Sequence, residues 1–252
     1  MIKTKERKGT VKRVKSAKVG KQLKKEKKYE LTIGLRELLE AGCHLGHKVA
    51  KTHPKARANI YMAKDGAEII DLVKTKEGLE KAADFIHQAV GGGKKIVLVG
   101  TKRQAKEVVR RVAIECGAAY VTDRWLGGTI TNWEQIVKNI RKLNDLKEGV
   151  NSGRLMAGSK KEQAESKKEM ARLEKMVGGL TSLERLFDIL VVIDVGFERS
   201  AVKEAMLRGV KIVAIVDTDA DPGKIDYPII ANDDNVKSIS LIVEELGRAI
   251  KR

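Results

Sequence analysis

Five short runs constrain this chain more than anything else in it. They are Ile96-Val-Leu-Val99, Ala118-Ala-Tyr-Val121, Ile189-Leu-Val-Val-Ile193, Ile212-Val-Ala-Ile-Val216 and Pro228-Ile-Ile-Ala231, and none holds a charged residue. A strand with one wet face alternates polar and apolar residues, whereas uninterrupted apolar runs suit strands buried on both faces. Segments of helical period lie between them. Ala105, Val108, Val109, Val112, Ala113 and Cys116 form one apolar stripe, residues 198–208 a second helix, and Asn235 to Ile250 a closing helix capped by Asp233 or Asp234. Strands alternating with helices predict an α/β fold: a parallel sheet with helices on both faces.

Upstream, Leu35, Leu38 and Leu39 have helical spacing, and Gly42 is placed to end that helix. Residues 59–72 read as a hairpin turning on Asp65-Gly66. Leu79, Ala82, Ala83, Ile86 and Val90 predict a helix from Lys76 to Val90, with Thr75 as its cap and Gly91-Gly-Gly93 as its end. Thr101-x-x-Gln104 has the form of a capping box opening the helix after residue 99.

Residues 124–133, Arg-Trp-Leu-Gly-Gly-Thr-Ile-Thr-Asn-Trp, interrupt the alternation and hold both tryptophans. They read as strand exit, tight turn on Gly127-Gly128, and helix start at a second box, Thr131-x-x-Glu134. Trp125 is expected to anchor the core, with base stacking as the other role. Beyond lies a strandless stretch. Ile136, Ile140, Leu143 and Leu146 make one stripe; a third box at Ser159-x-x-Glu162 opens another, through Ala164, Met170, Leu173 and Met176 or Val177. Glu165/Lys168 and Glu169/Arg172 are spaced to pair along it. Two narrow stripes predict an antiparallel helical hairpin, each arm about 25 Å long at 1.5 Å per residue, that could stand out from the body. The expected organisation is an extension over 1–30, an α/β body over 31–131 and 181–252, and an inserted hairpin over 132–180.

Charge points to the partner. The chain has 51 Lys/Arg against 34 Asp/Glu, a net +17. Residues 1–28 hold 13 Lys/Arg and two Glu, or +11, leaving +6 for the rest. Such an arm has too little apolar surface to offset its ordering entropy alone. Like charge this dense favours a polyanion, nucleic acid first and an anionic membrane second. The candidate phosphate contacts are Lys12, Arg13, Lys15, Lys18, Lys21, Lys24 and Lys25 in the arm. In the body they are Lys48, Lys51, Lys55, Arg57, Lys102, Arg103 and Arg124. No run approaches the roughly 18 apolar residues of a membrane span, and the N-terminus lacks the apolar stretch of a secretory signal. Cys43 and Cys116 form no C-x-x-C pair, which fits a reducing cytoplasm.

Catalytic chemistry is poorly represented. There is no G-x-x-x-x-G-K-[ST] and no G-x-G-x-x-G between strand and helix, so a nucleotide-dependent enzyme is the weaker reading. Val99-Gly-Thr-Lys-Arg103 leaves a strand toward a helix and could offer N–H groups and Lys102 to a phosphate. His44 and His47 lack an evident third metal ligand; their rings are expected to pack or to meet phosphate. Asp217-Thr-Asp219-Ala-Asp221 lacks the Gly and Glu of a calcium loop and suits turn formation. No cofactor and no metal are expected.

Taken together, Leu38-Leu-Glu-Ala-Gly-Cys-His-Leu-Gly-His47, Val99-Gly-Thr-Lys-Arg-Gln-Ala105, the 124–133 block, Ala214-Ile-Val-Asp-Thr-Asp-Ala-Asp-Pro222 and Ile225-Asp-Tyr-Pro228 with Asn232-Asp-Asp234 resemble one family. It is protein two of the small ribosomal subunit (uS2), bacterial type, and the blocks follow its order over about residues 31–245. The resemblance implies a flavodoxin-like sheet bearing a helical hairpin. It implies a non-enzymatic cytoplasmic ribosomal protein that binds small-subunit (16S-type) rRNA and neighbouring ribosomal proteins, not a homo-oligomer and not membrane-bound. Where the organism has it, the mRNA-binding protein S1 would dock there too. Two features depart from the pattern. The basic arm precedes the usual start, and Leu186-Phe187-Asp188 stands where Leu-Pro-Asp is frequent.

Overall fold

The computed structural model describes residues 28–152 and 159–251. Tyr29 N–H donates to Asp84 Oδ1 at 3.0 Å, and the Tyr29 hydroxyl donates to Glu245 Oε1 at 3.2 Å. Burial, with the Glu245 carboxylate beside it, pushes that phenol up to about 12.

Helix α1 (Leu35–Glu40) follows and stops at Gly42, whose φ of +76° is costly for any residue with a Cβ. Its expected stripe is only partly realised: Leu38 is buried, while Leu35 and Leu39 face solvent. Strands β1 (Leu45–Lys48), β2 (Ile60–Lys64) and β3 (Ala67–Ile70) make a small antiparallel sheet in the order β1-β3-β2. Asp65 and Gly66 both have positive φ, as the tight β2–β3 hairpin requires. Leu72, expected in the hairpin, already belongs to α2 (Leu72–Gly91). The cap is Asp71, which accepts from Val73 N–H at 3.0 Å, and not Thr75. Thr75 is buried one turn in, its hydroxyl donating to the Ile230 carbonyl at 2.5 Å.

Next come β4 (Ile96–Val99), α3 (Lys106–Cys116), β5 (Ala119–Val121), α4 (Trp133–Asn151), α5 (Lys160–Val177), β6 (Ile189–Ile193), α6 (Arg199–Arg208), β7 (Lys211–Val216), β8 (Tyr227–Ile230) and α7 (Val236–Ile250). The five runs pair in parallel in the order β5-β4-β6-β7-β8. Counting from β4, that is the 2-1-3-4-5 order of flavodoxin-like sheets. Alternate residues of each strand enter two cores. Val97, Val99, Leu190, Val192, Ile212 and Ala214 meet α6 and the base of the α4–α5 pair. Leu98, Val191, Ile193, Val213 and Ile215 meet α2, α3 and α7. Each buried Val, Leu or Ile is worth about 1.5–3 kcal/mol relative to exposure, so neither face could be left open.

The α4–α5 pair therefore covers the sheet at its base rather than standing wholly clear of it. Ile136, Ile140, Leu143, Leu173 and Val177 are in the core, Leu146, Met170 and Met176 pack beside it, and Ala164 is exposed. Lys142–Glu169 and Lys147–Glu174, both 2.7 Å, tie one helix to the other. Phe187 is buried edge-on to Trp133, with ring centroids 6.3 Å apart, and so joins the exit of α5 to the start of α4.

One of three expected capping boxes forms. Ser159 accepts from Glu162 N–H at 3.3 Å, and the Glu162 carboxylate accepts from Ser159 N–H at 2.8 Å. The Thr101 box does not form, because α3 begins at Lys106 and Thr101 N–H donates to Glu198 at 2.7 Å. The Thr131 box fails for a similar reason, given below. At α7 the cap is Asn235, which accepts from Lys237 N–H at 3.0 Å, and not Asp233 or Asp234.

Candidate nucleic-acid interface

Parallel strands place all their carboxyl ends at one edge of the sheet. At this edge the chain leaves β5 through the 124–131 loop, and one buried carboxylate shapes that loop. Glu204 of α6 accepts from Trp125 Nε1 at 3.1 Å and Gly128 N–H at 2.9 Å. Its other oxygen accepts from Ile130 N–H at 2.9 Å, Thr131 N–H at 3.1 Å and the Thr131 hydroxyl at 3.2 Å. Thr131 is thus engaged by a distant helix, and α4 starts with Asn132 in the cap position and no side-chain cap bond. Burial alone would raise the pKa of Glu204. The Trp125 indole and the N–H groups of Ile130, Gly128 and Thr131 outweigh it and hold the carboxylate below its usual value. Trp125 is a buried core anchor, and Arg124 beside it is exposed.

Arg103, after β4, is exposed at the same edge. The segment from β1 to β2 lies across the β7 end: His53 N–H donates to the Thr218 carbonyl at 2.8 Å, and Lys55 pairs with Asp221 at 3.0 Å. Residues 45–64 hold five Lys/Arg and no Asp/Glu. Lys48, Lys51, Lys55 and Arg57 are all exposed. Lys12, Arg13, Lys15, Lys18, Lys21, Lys24 and Lys25 lie outside the described residues.

Lys102 is placed differently. Its side chain is 13 % exposed, and its ammonium lies 2.9 Å from Asp194, 2.9 Å from Asp233 and 2.6 Å from Asp234. Burial works against its charge, but Asp234, Asp194 and Asp233 more than compensate and raise its pKa. This cluster fills the ends of β4 and β6, the switch point where flavodoxin-like sheets hold a ligand. A phosphate there would confront carboxylates. Asp194 takes a left-handed backbone, φ +69°, and caps the turn by accepting from Phe197 N–H at 2.8 Å.

His47 joins the same cluster, at 3.1 Å from Asp217, 3.8 Å from Asp219 and 3.5 Å from Asp234. The Asp217 hydrogen bond lifts its pKa from 6.5 to about 9 against the effect of burial. Asp217 also accepts from Thr218 N–H, and Asp221 from Gly223 N–H at 3.0 Å, so the Asp217–Asp221 run does form turns. Burial, then Asp194 and Asp217, push Asp233 up to about 7. Both groups bind protons more tightly in the folded chain. The His47 contribution is full below 6.5 and disappears as pH rises through about 9. Between pH 6.5 and 9 the chain should lose on the order of 2 kcal/mol, and His47→Gln should flatten that part of the curve. Urea unfolding across the window measures it. An equally steep curve in the variant would assign the loss to other groups.

The profile of the family described as Ribosomal protein S2 matches residues 38–252. The chain belongs to that family. Among its relatives, the small ribosomal subunit protein uS2 of Microcystis aeruginosa is 40% identical over 86% of this chain and 82% of its own length. That of Picosynechococcus sp. is 41% identical over 86% and 85%, and that of Prochlorococcus marinus strain MIT 9312 is 43% identical over 86% and 94%. The S2 family is structural and non-enzymatic, and the flavodoxin-like sheet with helices on both faces agrees with it. Among the described residues, no helix is long and apolar enough to cross a membrane. Sequence reasoning passed over Glu204, though a signal was present: an acid three residues from Ala201 and next to Ala205, on the buried side of α6.

Proposed function

We propose that this chain is a structural constituent of the small ribosomal subunit and binds its 16S-type rRNA along the carboxyl edge of the sheet. The observation that carries the reading is the acid-free stretch 45–64, laid across that edge with Lys48, Lys51 and Arg57 exposed and outside any ion pair among the described residues. Arg103 and Arg124 extend the edge, whereas Lys102 is committed to carboxylates and contributes structure instead. The arm, with Lys12 to Lys25, adds phosphate contacts of its own. The division into arm, body and inserted hairpin separates three roles, which are electrostatic grip, rigid platform and contact with neighbouring proteins. Protein S1, where the organism has it, docks on this subunit protein, which acts in the cytoplasm as a single copy. Recognition is by backbone neutralisation and shape, as folded RNA demands.

Gradient sedimentation with purified small subunits tests the reading. Tagged full chain should travel with the subunit at moderate salt, and RNA crosslinks should fall on residues 48–57, 103 and 124. A chain left at the top of the gradient, or crosslinks confined to the α2–α3–α7 face, would dismiss it.

A further inference from the structure

The small antiparallel sheet has one face turned inward and one outward. Glu68 and Ile70 of β3 are buried. The register then dictates what the outward face carries. Leu45 and Met62 both pair with Ile69, and Lys48 and Lys64 both pair with Ala67. Directly paired residues share a face, so an apolar row, Leu45–Ile69–Met62, lies beside a row with a lysine at each end, Lys48–Ala67–Lys64. Leu45 is 44 % and Met62 47 % exposed.

Tyr61 stands at the side of this surface. Ile60 pairs with Ile70 and Met62 with Ile69, so Tyr61 is the extra residue of a β-bulge on the edge strand. A bulge re-aims a side chain out of the strand's alternation. Tyr61 is 74 % exposed, and neither its ring nor its hydroxyl has a partner among the described residues. Lysines alone at a sheet edge could be read as protection against strand pairing. A bare aromatic ring on the same edge strand as Lys64 serves no such end. Rings and apolar patches on an exposed sheet, flanked by cations, are how unpaired nucleotides are held: the base stacks and the phosphate is neutralised.

We infer that Tyr61, with Met62 beside it and Lys48 and Lys64 as phosphate contacts, is a stacking platform for an unpaired nucleotide of the RNA. The inference rests on the RNA-binding reading and adds base contact to an interface otherwise made of charge. A neighbouring protein is disfavoured as occupant because residues 45–64 hold no acid and leave Lys48, Lys51, Arg57 and Lys64 outside any ion pair among the described residues.

The test titrates the full chain with small-subunit RNA over a salt series. Tyr61→Ala should weaken binding about tenfold at every salt concentration with the salt slope unchanged, because stacking releases no counterions. Tyr61→Phe should bind within about twofold of wild type, since the ring and not the hydroxyl is used. Lys64→Ala should instead lower the slope by about one. Ultraviolet crosslinking in assembled subunits should join residue 61 to a nucleotide. Wild-type affinity in Tyr61→Ala, or a crosslink from residue 61 to protein alone, overturns the platform while leaving the RNA-binding edge intact. Failure of the wild-type chain to bind the RNA overturns both.

Discussion

Replacing Glu204 by alanine should destabilise the folded chain by about 3–5 kcal/mol, because several buried N–H donors lose their one acceptor together. The size follows from what is left behind. Trp125 Nε1 and the N–H groups of Gly128, Ile130 and Thr131 all donate to this one carboxylate. Each stranded buried donor costs about 1–3 kcal/mol, reduced where water can enter the cavity. Glu204→Gln should be milder but still costly, about 2 kcal/mol. It keeps one acceptor oxygen and turns an NH2 toward groups that are themselves donors. The acid limb gives an independent reading. Because the fold lowers the pKa of Glu204, its stabilisation is present above about pH 4.5 and is lost as pH falls through the lowered value. Glu204→Gln should lose that part of the acid dependence. Urea midpoints at pH 7 and along a series descending below pH 4.5 measure both effects. A Glu204→Ala variant as stable as wild type would mean that the 124–131 loop is held by its own turn chemistry.

The same residue shows what the sequence could and could not convey. The sheet was legible because five runs without a charged residue have one cheap solution, burial on both faces. Helix existence was legible from stripes such as Leu79–Ala82–Ala83–Ile86. Caps were less so, because a capping box is a local pattern and its groups can be claimed from far away. Thr131 went to Glu204, 73 residues on, and Thr101 to Glu198, 97 residues on. Ser159, at the far end of a hairpin with no such competitor in its bonds, kept its box. Distance also explains the cationic edge. Lys48, Lys51, Arg57, Arg103 and Arg124 could be picked out as basic residues, but Arg103 and Arg124 share an edge only because parallel strands end there, and the β1–β2 segment reaches it only through bonds to Thr218 and Asp221 far along the chain. That Lys102 faces Asp194, Asp233 and Asp234, up to 132 residues away, was beyond any local reading.

Deleting residues 1–28 should flatten the salt dependence of RNA binding more than any change to the folded body. The deletion removes 13 Lys/Arg and two Glu, net +11, and leaves residues 29–252 with +6. Each neutralised phosphate contributes about 0.7–0.9 to the slope of log K against log salt. With half the arm's cations engaged, the slope should fall by on the order of five. Wild type and deletion should therefore differ most at low salt and converge as salt rises. The folded body should survive the cut, since the Tyr29 bonds to Asp84 and Glu245 are retained. Tyr29 packs against His87 with ring centroids 5.6 Å apart and planes tilted by 47°, near the end of α2 that leads into β4. Tyr29, which follows the arm in the chain, lies on the α2–α7 face, and arm and carboxyl edge should act as linked, separable sites. Neutralising Lys48, Arg103 and Arg124 should then lower the slope by about three in the full chain and by the same amount in the deletion. An unchanged slope after deletion would take the arm out of the binding mechanism. A loss of additivity would mean that arm and edge compete for the same phosphates.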